Sequence, residues 1–207
     1  MKHLIDLETW SRKEHFRFFG SMDDPFFGLT APVDVTDIYR EAKADNASFF
    51  LYSLHRIIRA VNAIEAFRYR VEDGQPVCYD AIHVGSTIGR EDGSFGFGFF
   101  PYSPDRAAFI EGAEREISRV RALPGLCFDE NARRQDLVRF SPVPWIAFTE
   151  MKHAGSFRTG DSATRISTGK LLDCDGRKWL PVSVTAHHGL TDGRHVALLL
   201  DKISSKE

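Results

Sequence analysis

A chain of 207 residues, 43% apolar and 27% charged, has enough material to bury one sizeable core. Its formal charge of −2 leaves no cationic excess for neutralising phosphates, which argues against a dedicated nucleic-acid binder. A mean hydropathy of −0.27 and the lack of a long uncharged apolar run argue against a transmembrane helix, and MKHLIDLETW has acidic residues where a signal peptide needs apolar ones.

In chain order, residues 10–19 (WSRKEHFRFF) suit a short amphipathic helix. Asp34 is the expected N-cap of a second short helix, and Ser48 the cap of a long one. That long helix is marked by Phe50, Leu54, Ile57, Ile58, Val61 and Ile64 at helical spacing. From about 67 to 101 the pattern changes to short strands, with hairpin turns expected at Asp73-Gly74 and Asp92-Gly93. Ser103-Pro104 is expected to open a helix whose stripe runs through Phe109, Ile110, Ala113, Ile117 and Val120. Strand-like runs return at 145–150, 163–172 and 179–187, the last two joined by a turn at Asp175-Gly176. A helix built on Val196, Leu199, Leu200 and Ile203 follows.

No repeat or linker-like run divides the chain, so one domain spanning 1–207 is expected. Strands and helices mix without a regular βαβ rhythm, which points to an α+β fold with a mixed sheet flanked by helices. The aromatic residues are heavily skewed, with 17 Phe against five Tyr and three Trp. Clusters at Phe18-Phe19, Phe26-Phe27 and Phe95 to Phe100 are too dense for one buried face. Some of them are expected to line a pocket or a subunit interface.

The segment from Val182 to Gly193, VSVTAHHGLTDG, carries the chemistry. An alternating strand delivers His187 and His188 to its end, and a tight loop then brings Asp192 and Gly193 to the start of a helix. Neighbouring strand side chains point to opposite faces, so the two histidines do not share a target: one looks into a site and the other packs behind it. A metal site built from His187, His188 and His195 is therefore awkward, and no HExxH or CxxC accompanies it. The three cysteines (Cys78, Cys127, Cys174) are odd in number and far apart, so no disulfide framework or structural zinc is expected, and a cytoplasmic location fits.

The spacing HHxxxDG resembles the signature of acyl-CoA-dependent acyltransferases, a group that includes the chloramphenicol acetyltransferases and the catalytic domains of dihydrolipoamide acyltransferases. Further matches follow the order of the first of these families: Trp10-x-Arg12-Lys13-Glu14-His15-Phe16, Phe27-Gly28-Leu29-Thr30, Pro101-Tyr102-Ser103-x-Asp105, Ser141-x-x-Pro144-Trp145 and Ile166-x-x-Gly169-Lys170. Dihydrolipoamide acyltransferases normally also carry lipoyl and peripheral-subunit-binding modules, for which these 207 residues have no room. The chain as a whole thus resembles the chloramphenicol acetyltransferase family.

That resemblance implies a residue-by-residue assignment. His188 would be the general base that deprotonates the primary hydroxyl of chloramphenicol as it attacks the acetyl group of acetyl-CoA, a task suited to an imidazole near neutrality. Asp192 would pair with Arg12 in structural support of the site, Gly193 would permit the tight backbone beside it, and Ser141 would donate to the tetrahedral oxyanion. Ser167 matches a hydroxyl residue that holds a water near the transition state. Phe27 and Phe95 match aromatics of the acceptor pocket, and Phe19 stands where a tyrosine hydroxyl usually contacts the antibiotic. Lys170 would contact a phosphate of CoA, while Leu171 replaces an aromatic near the adenine. The implied assembly is a homotrimer with active sites at subunit interfaces, requiring no metal. Two alternatives stay open: an acetyltransferase acting on another small hydroxyl compound, suggested by Phe19, and a catalytically silent trimer that sequesters a ligand.

Overall fold

The computed structural model describes residues 1–155 and 160–204. Alternation along strand β10 (Arg177–His187) organises it: Leu180, Val182, Val184 and Ala186 point to one face and are at most 3% exposed, whereas Ser183, Thr185 and His187 point to the other. β10 pairs antiparallel with β2 (Phe26–Asp34) on one side and with β8 (Arg165–Thr168) on the other. The sheet continues through the parallel strands β7 (Leu137–Pro142) and β5 (His83–Gly89) to the antiparallel edge strand β6 (Phe95–Phe100). Short β9 (Leu172–Cys174) joins the start of β10 through Asp175 and Gly176, both at positive φ. A smaller sheet pairs β1 (Lys2–Leu4), β4 (Gln75–Tyr79) and β3 (Tyr69–Glu72) in that order, its hairpin turning at Asp73-Gly74, also at positive φ.

Helices cover the apolar face of the large sheet. The central one is α3 (Phe49–Asn62), where the Ser48 hydroxyl accepts from the Leu51 amide as an N-cap. Its Leu54, Ile57, Ile58 and Val61 are no more than 1% exposed, each contributing about 1.5–3 kcal/mol by burial. Around α3 pack α2 (Thr36–Ala44), α4 (Arg106–Ala122) and α5 (Gly193–Ser204), with α4 resting on β6 and α5 on β2. The mixed-sheet α+β architecture expected from the sequence is the one present. The Phe-rich β6 is explained by its neighbours: Gly96 and Gly98 face α4, where a Cβ would come within 2.7 Å of Val120 and 3.3 Å of Glu116 Cγ respectively, the second also falling 2.4 Å from Ile88 of β5. The close approach of α4 thus demands glycine on one face of β6, leaving Phe95, Phe97 and Phe99 on the other.

Four details differ from the sequence reading. Asp34 is not the N-cap of α2; Val35 is, and the Asp34 carboxylate instead accepts from the Thr36 amide and hydroxyl at 3.0 and 2.5 Å. Helix α4 begins after Ser103-Pro104, because the Asp105 side chain caps it by accepting from the Ala108 amide. Residues 145–150 are not a strand: they follow Pro142 and Pro144, which offer no N–H for pairing, and Trp145 is 80% exposed. The strands at that level are β7 just before them and β2 near the start of the chain, neither of which the pattern of residues announced.

The second face of the large sheet is covered by a loop. Residues 151–154 of the β7–β8 connection border the same cavities as Thr87, Arg139, Ser141 and Arg165, and His153 bonds Thr185 and Ser167. Ser167, Ser183 and Arg165 are almost fully buried there, so this face is a lined, polar floor.

Candidate active site

His188 leaves the end of β10, its amide donating to the Pro25 carbonyl at 2.8 Å. The ring stacks on Phe19, with centroids 3.9 Å apart and planes 13° apart, and Phe27 flanks it at 4.5 Å. Nδ1 lies 3.2 Å from the Thr191 carbonyl, which can only accept, so in the neutral ring Nδ1 carries the proton. Nε2 is then the nitrogen with a lone pair, which is the state a general base requires.

Arg12 holds the loop after His188 from the other end of the chain. Its Nη1 donates to Asp192 Oδ2 at 2.8 Å and its Nη2 to the His188 carbonyl at 3.1 Å. The remaining carboxylate oxygen, Oδ1, caps α5 by accepting from the Arg194 amide at 3.0 Å and meets His195 Nδ1 at 2.9 Å. Although partial burial pushes the Asp192 carboxyl up, the Arg12 hydrogen bond and neighbouring His195 outweigh it and hold the pKa at about 2. The pair is half-buried, with Arg12 13% and Asp192 35% exposed. Gly193 opens α5 without a positive φ, and a Cβ there would meet Leu29 at an ordinary 3.8 Å, so the tight backbone expected at this glycine is not found. The constrained glycine is Gly189, where a Cβ would fall 3.0 Å from His187 Cε1 and 3.1 Å from Phe16 Cα.

His187 faces away from His188. Its Nδ1 accepts from the Gly189 amide at 3.1 Å, Phe26 packs edge-on against the ring, and burial pushes its pKa down to about 4. The two histidines divide as strand alternation requires, and among the described residues no cluster of three or more His, Cys, Asp or Glu side chains is arranged to hold a metal.

Ser141 lies on the second face of the sheet, in a mostly apolar cavity of about 370 Å³. Its Oγ is 3.2 Å from Thr87 Oγ1, and Phe97, Phe99, Phe128 and Met151 supply apolar walls. When Thr87 donates to Ser141, the Ser141 proton is free to point into the cavity. Phe95 lies outside this lining, 46% exposed and edge-on to Phe97, which with Phe99 lines the cavity from that strand. Ser167 is completely buried, and its Oγ is bonded at 2.8 Å to Nε2 of His153, a residue the sequence reading did not single out. Lys170 is exposed, its amide tied to the Ile146 carbonyl beside Trp145.

These residues form two groups rather than one. Ser141 is in register with Ser167, and Ser167 with Ser183, while His188 stands five positions beyond Ser183. At about 3.3 Å per residue along the strand and 4.8 Å between strands, His188 and Ser141 of one chain are roughly 19 Å apart. One chain therefore gathers Phe19, Phe27, Arg12 and Asp192 around the imidazole, and separately gathers Thr87, Ser141 and the aromatic walls.

Comparison with known proteins bears on both groups. The family model described as chloramphenicol acetyltransferase matches residues 2–204. The chain is 28% identical over 201 residues to chloramphenicol acetyltransferase 2 of Haemophilus influenzae, covering 96% of this chain and 93% of that protein. It is 26% identical over 200 residues to chloramphenicol acetyltransferase 3 of Escherichia coli, at 96% and 93% coverage. A solved chloramphenicol acetyltransferase superposes with a TM-score of 0.92 at 34% identity, covering 99% of this chain and 98% of the other. The dihydrolipoamide acetyltransferase of Azotobacter vinelandii shares the fold alone, with a TM-score of 0.66 at 14% identity over 93% of this chain and 86% of that one. With its HHxxxDG segment, its Arg12–Asp192 pair and a match over nearly its whole length, the chain belongs to the chloramphenicol acetyltransferase family.

Proposed function

We propose that the protein transfers the acetyl group of acetyl-CoA to the primary hydroxyl of chloramphenicol, with His188 as general base. The observation that carries this reading is the His188 ring itself: Nδ1 is committed to a carbonyl and Nε2 is left to take a proton, between two aromatic rings suited to an apolar acceptor. As the hydroxyl oxygen attacks the thioester carbonyl, its proton passes to Nε2. Collapse of the tetrahedral intermediate expels the CoA sulfur, which takes that proton back, so the imidazole is regenerated and no acyl-enzyme forms. Ser141 donates to the developing oxyanion, and a donor of this kind contributes about 2.7–4 kcal/mol to the barrier reduction.

The separation of the two groups supports assembly as a homotrimer, in which His188 of one subunit meets the Ser141 cavity of its neighbour. Leu29 and Phe95, exposed on the edge strands β2 and β6, give such an interface apolar material. Lys170 and the exposed Trp145 provide a cation and an indole face for the phosphates and adenine of CoA, with Trp145 offsetting the aliphatic Leu171. Among the described residues no helix is long and apolar enough to cross a membrane, which accords with a cytoplasmic enzyme using cytoplasmic acetyl-CoA.

A thiol-release assay with acetyl-CoA tests the reading. Chloramphenicol-dependent release of CoA is expected from the folded protein; release only with another hydroxyl acceptor would move the assignment to that compound.

A further inference from the structure

Ser167 is fully buried beneath the imidazole of His153, so the polar group facing the cavity at this point is a histidine. Both ring nitrogens of His153 are engaged by hydroxyls from two different strands, Nε2 with Ser167 of β8 at 2.8 Å and Nδ1 with Thr185 of β10 at 3.0 Å. The Nδ1–Cε1–Nε2 edge thus faces the sheet, and the ring stands upright on it. His153 lines the 370 Å³ cavity that holds Ser141, and equally a neighbouring cavity of about 450 Å³ lined by Phe27, Gly28, Leu29 and Thr185. The other side chains common to both are Met151, Lys152 and Arg165. Lys152 is exposed, Met151 is flexible, and Arg165 lies below, tied to Asp161 at 2.8 Å and stacked over Phe26. The imidazole stands above Arg165, fixed at two points by the hydroxyls of β8 and β10.

We propose that His153 is a specificity-determining residue: a rigid partition between the Ser141 cavity and the Phe27 cavity, which sets the length of acceptor that the site accommodates. This rests on the reading of the Ser141 cavity as the acceptor pocket. A clamped ring cannot swing aside as a Leu or Met would, so an acceptor whose tail reaches the partition meets a wall. The chemical class selected is a compact, largely apolar alcohol whose tail ends short of the imidazole.

The test measures kcat/KM for chloramphenicol and for an analogue whose dichloroacetyl group is replaced by hexanoyl, in the wild-type protein, in His153→Ala and in Thr185→Val. Steric exclusion of a few methylenes is worth tenfold or more, so the wild type is expected to prefer the short tail by at least about tenfold. His153→Ala, which opens one cavity into the other, is expected to narrow the preference to about threefold or less, chiefly through KM for the long analogue. Thr185→Val keeps the shape of the side chain and releases half the clamp, and an intermediate preference is expected; it also decides the matter should His153→Ala fail to assemble. A short-tail preference unchanged in a folded variant overturns the partition while chloramphenicol turnover by the wild type leaves the function standing. No turnover of either acceptor by the wild type overturns the functional reading itself.

Discussion

The surroundings of His188 and of Ser141 are built by different means. Around His188 the work is done by loop geometry and charge: Arg12 reaches across 180 positions to Asp192, which in turn caps α5. Around Ser141 it is done by strand register and uncharged hydroxyls, with Thr87 beside Ser141 and His153 bridging Ser167 and Thr185. A base must keep its tautomer while gaining and losing a proton, and a carbonyl partner within an ion-paired loop provides this. An oxyanion donor needs a fixed direction, and rigid adjacent strands provide that.

The largest effects are expected from removing the proposed base and the proposed oxyanion donor. His188→Ala should lower kcat by about 10²–10⁴-fold, and Ser141→Ala by about 10²–10³-fold. Each should leave circular dichroism and assembly as in the wild type. Loss of folding in either case would show that the residue belongs to the frame and not to the chemistry.

The ion pair separates the frame from the base. Arg12→Ala removes donors to Asp192 and to the His188 carbonyl, and should cost about 2 kcal/mol in stability together with much of kcat. Asp192→Asn retains an oxygen for capping α5 and should cost less. Because the Asp192 carboxyl is held at about 2, its pair stabilises the fold above the ordinary carboxylate range and is lost as pH falls from about 4 to about 2. The stability gap between wild type and Asp192→Asn, followed by urea denaturation, should therefore close across that window. A gap constant with pH would show that the carboxylate charge contributes nothing.

His187 gives a smaller effect at milder pH. Held neutral with a pKa of about 4, it resists a proton that the unfolded chain accepts near 6.5, so its contribution is lost as pH falls from about 6.5 to about 4. Substitution by Gln should flatten the stability profile over that interval. The smallest change is expected from Phe19→Tyr, which keeps the ring stacked on His188 and adds a hydroxyl beside the acceptor. A fewfold lower KM for chloramphenicol would identify Phe19 as a weak point for this acceptor; a KM that is unchanged or higher would point toward a different natural acceptor.

The same contrast explains what was legible in the sequence. His188, Asp192 and the Asp-Gly turns are local features, and helix α3 announces itself through Ser48 and its apolar spacing, so residue order alone reveals them. Arg12 became legible only through resemblance, because its partner lies at the far end of the chain. The Ser141 surroundings depend on pairing between distant strands: β7 lies in a short polar-flanked run, and β2 contains Gly28 and Pro32, which blur its alternation. His153 sits in a loop with no motif, and only the fold brings it over Ser167 and Thr185. The apolar run at 145–150 reads as a strand, yet the prolines before it and the exposure of Trp145 show a surface feature instead. In β6, distinguishing Phe97 from Phe95 requires seeing which ring points into the cavity.

The central claim is that His188 of one subunit acts over the Ser141 cavity of another, and mixed assemblies test it directly. His188→Ala and Ser141→Ala subunits, each nearly inactive alone, would be unfolded together in equal amounts and refolded. With His188 and Ser141 drawn from different subunits, random mixing makes about a quarter of the interface sites wild-type, so about a quarter of wild-type activity should return. If activity instead stays at the level of the separate variants although mixed oligomers have formed, both groups act within one chain and the shared-site account is wrong.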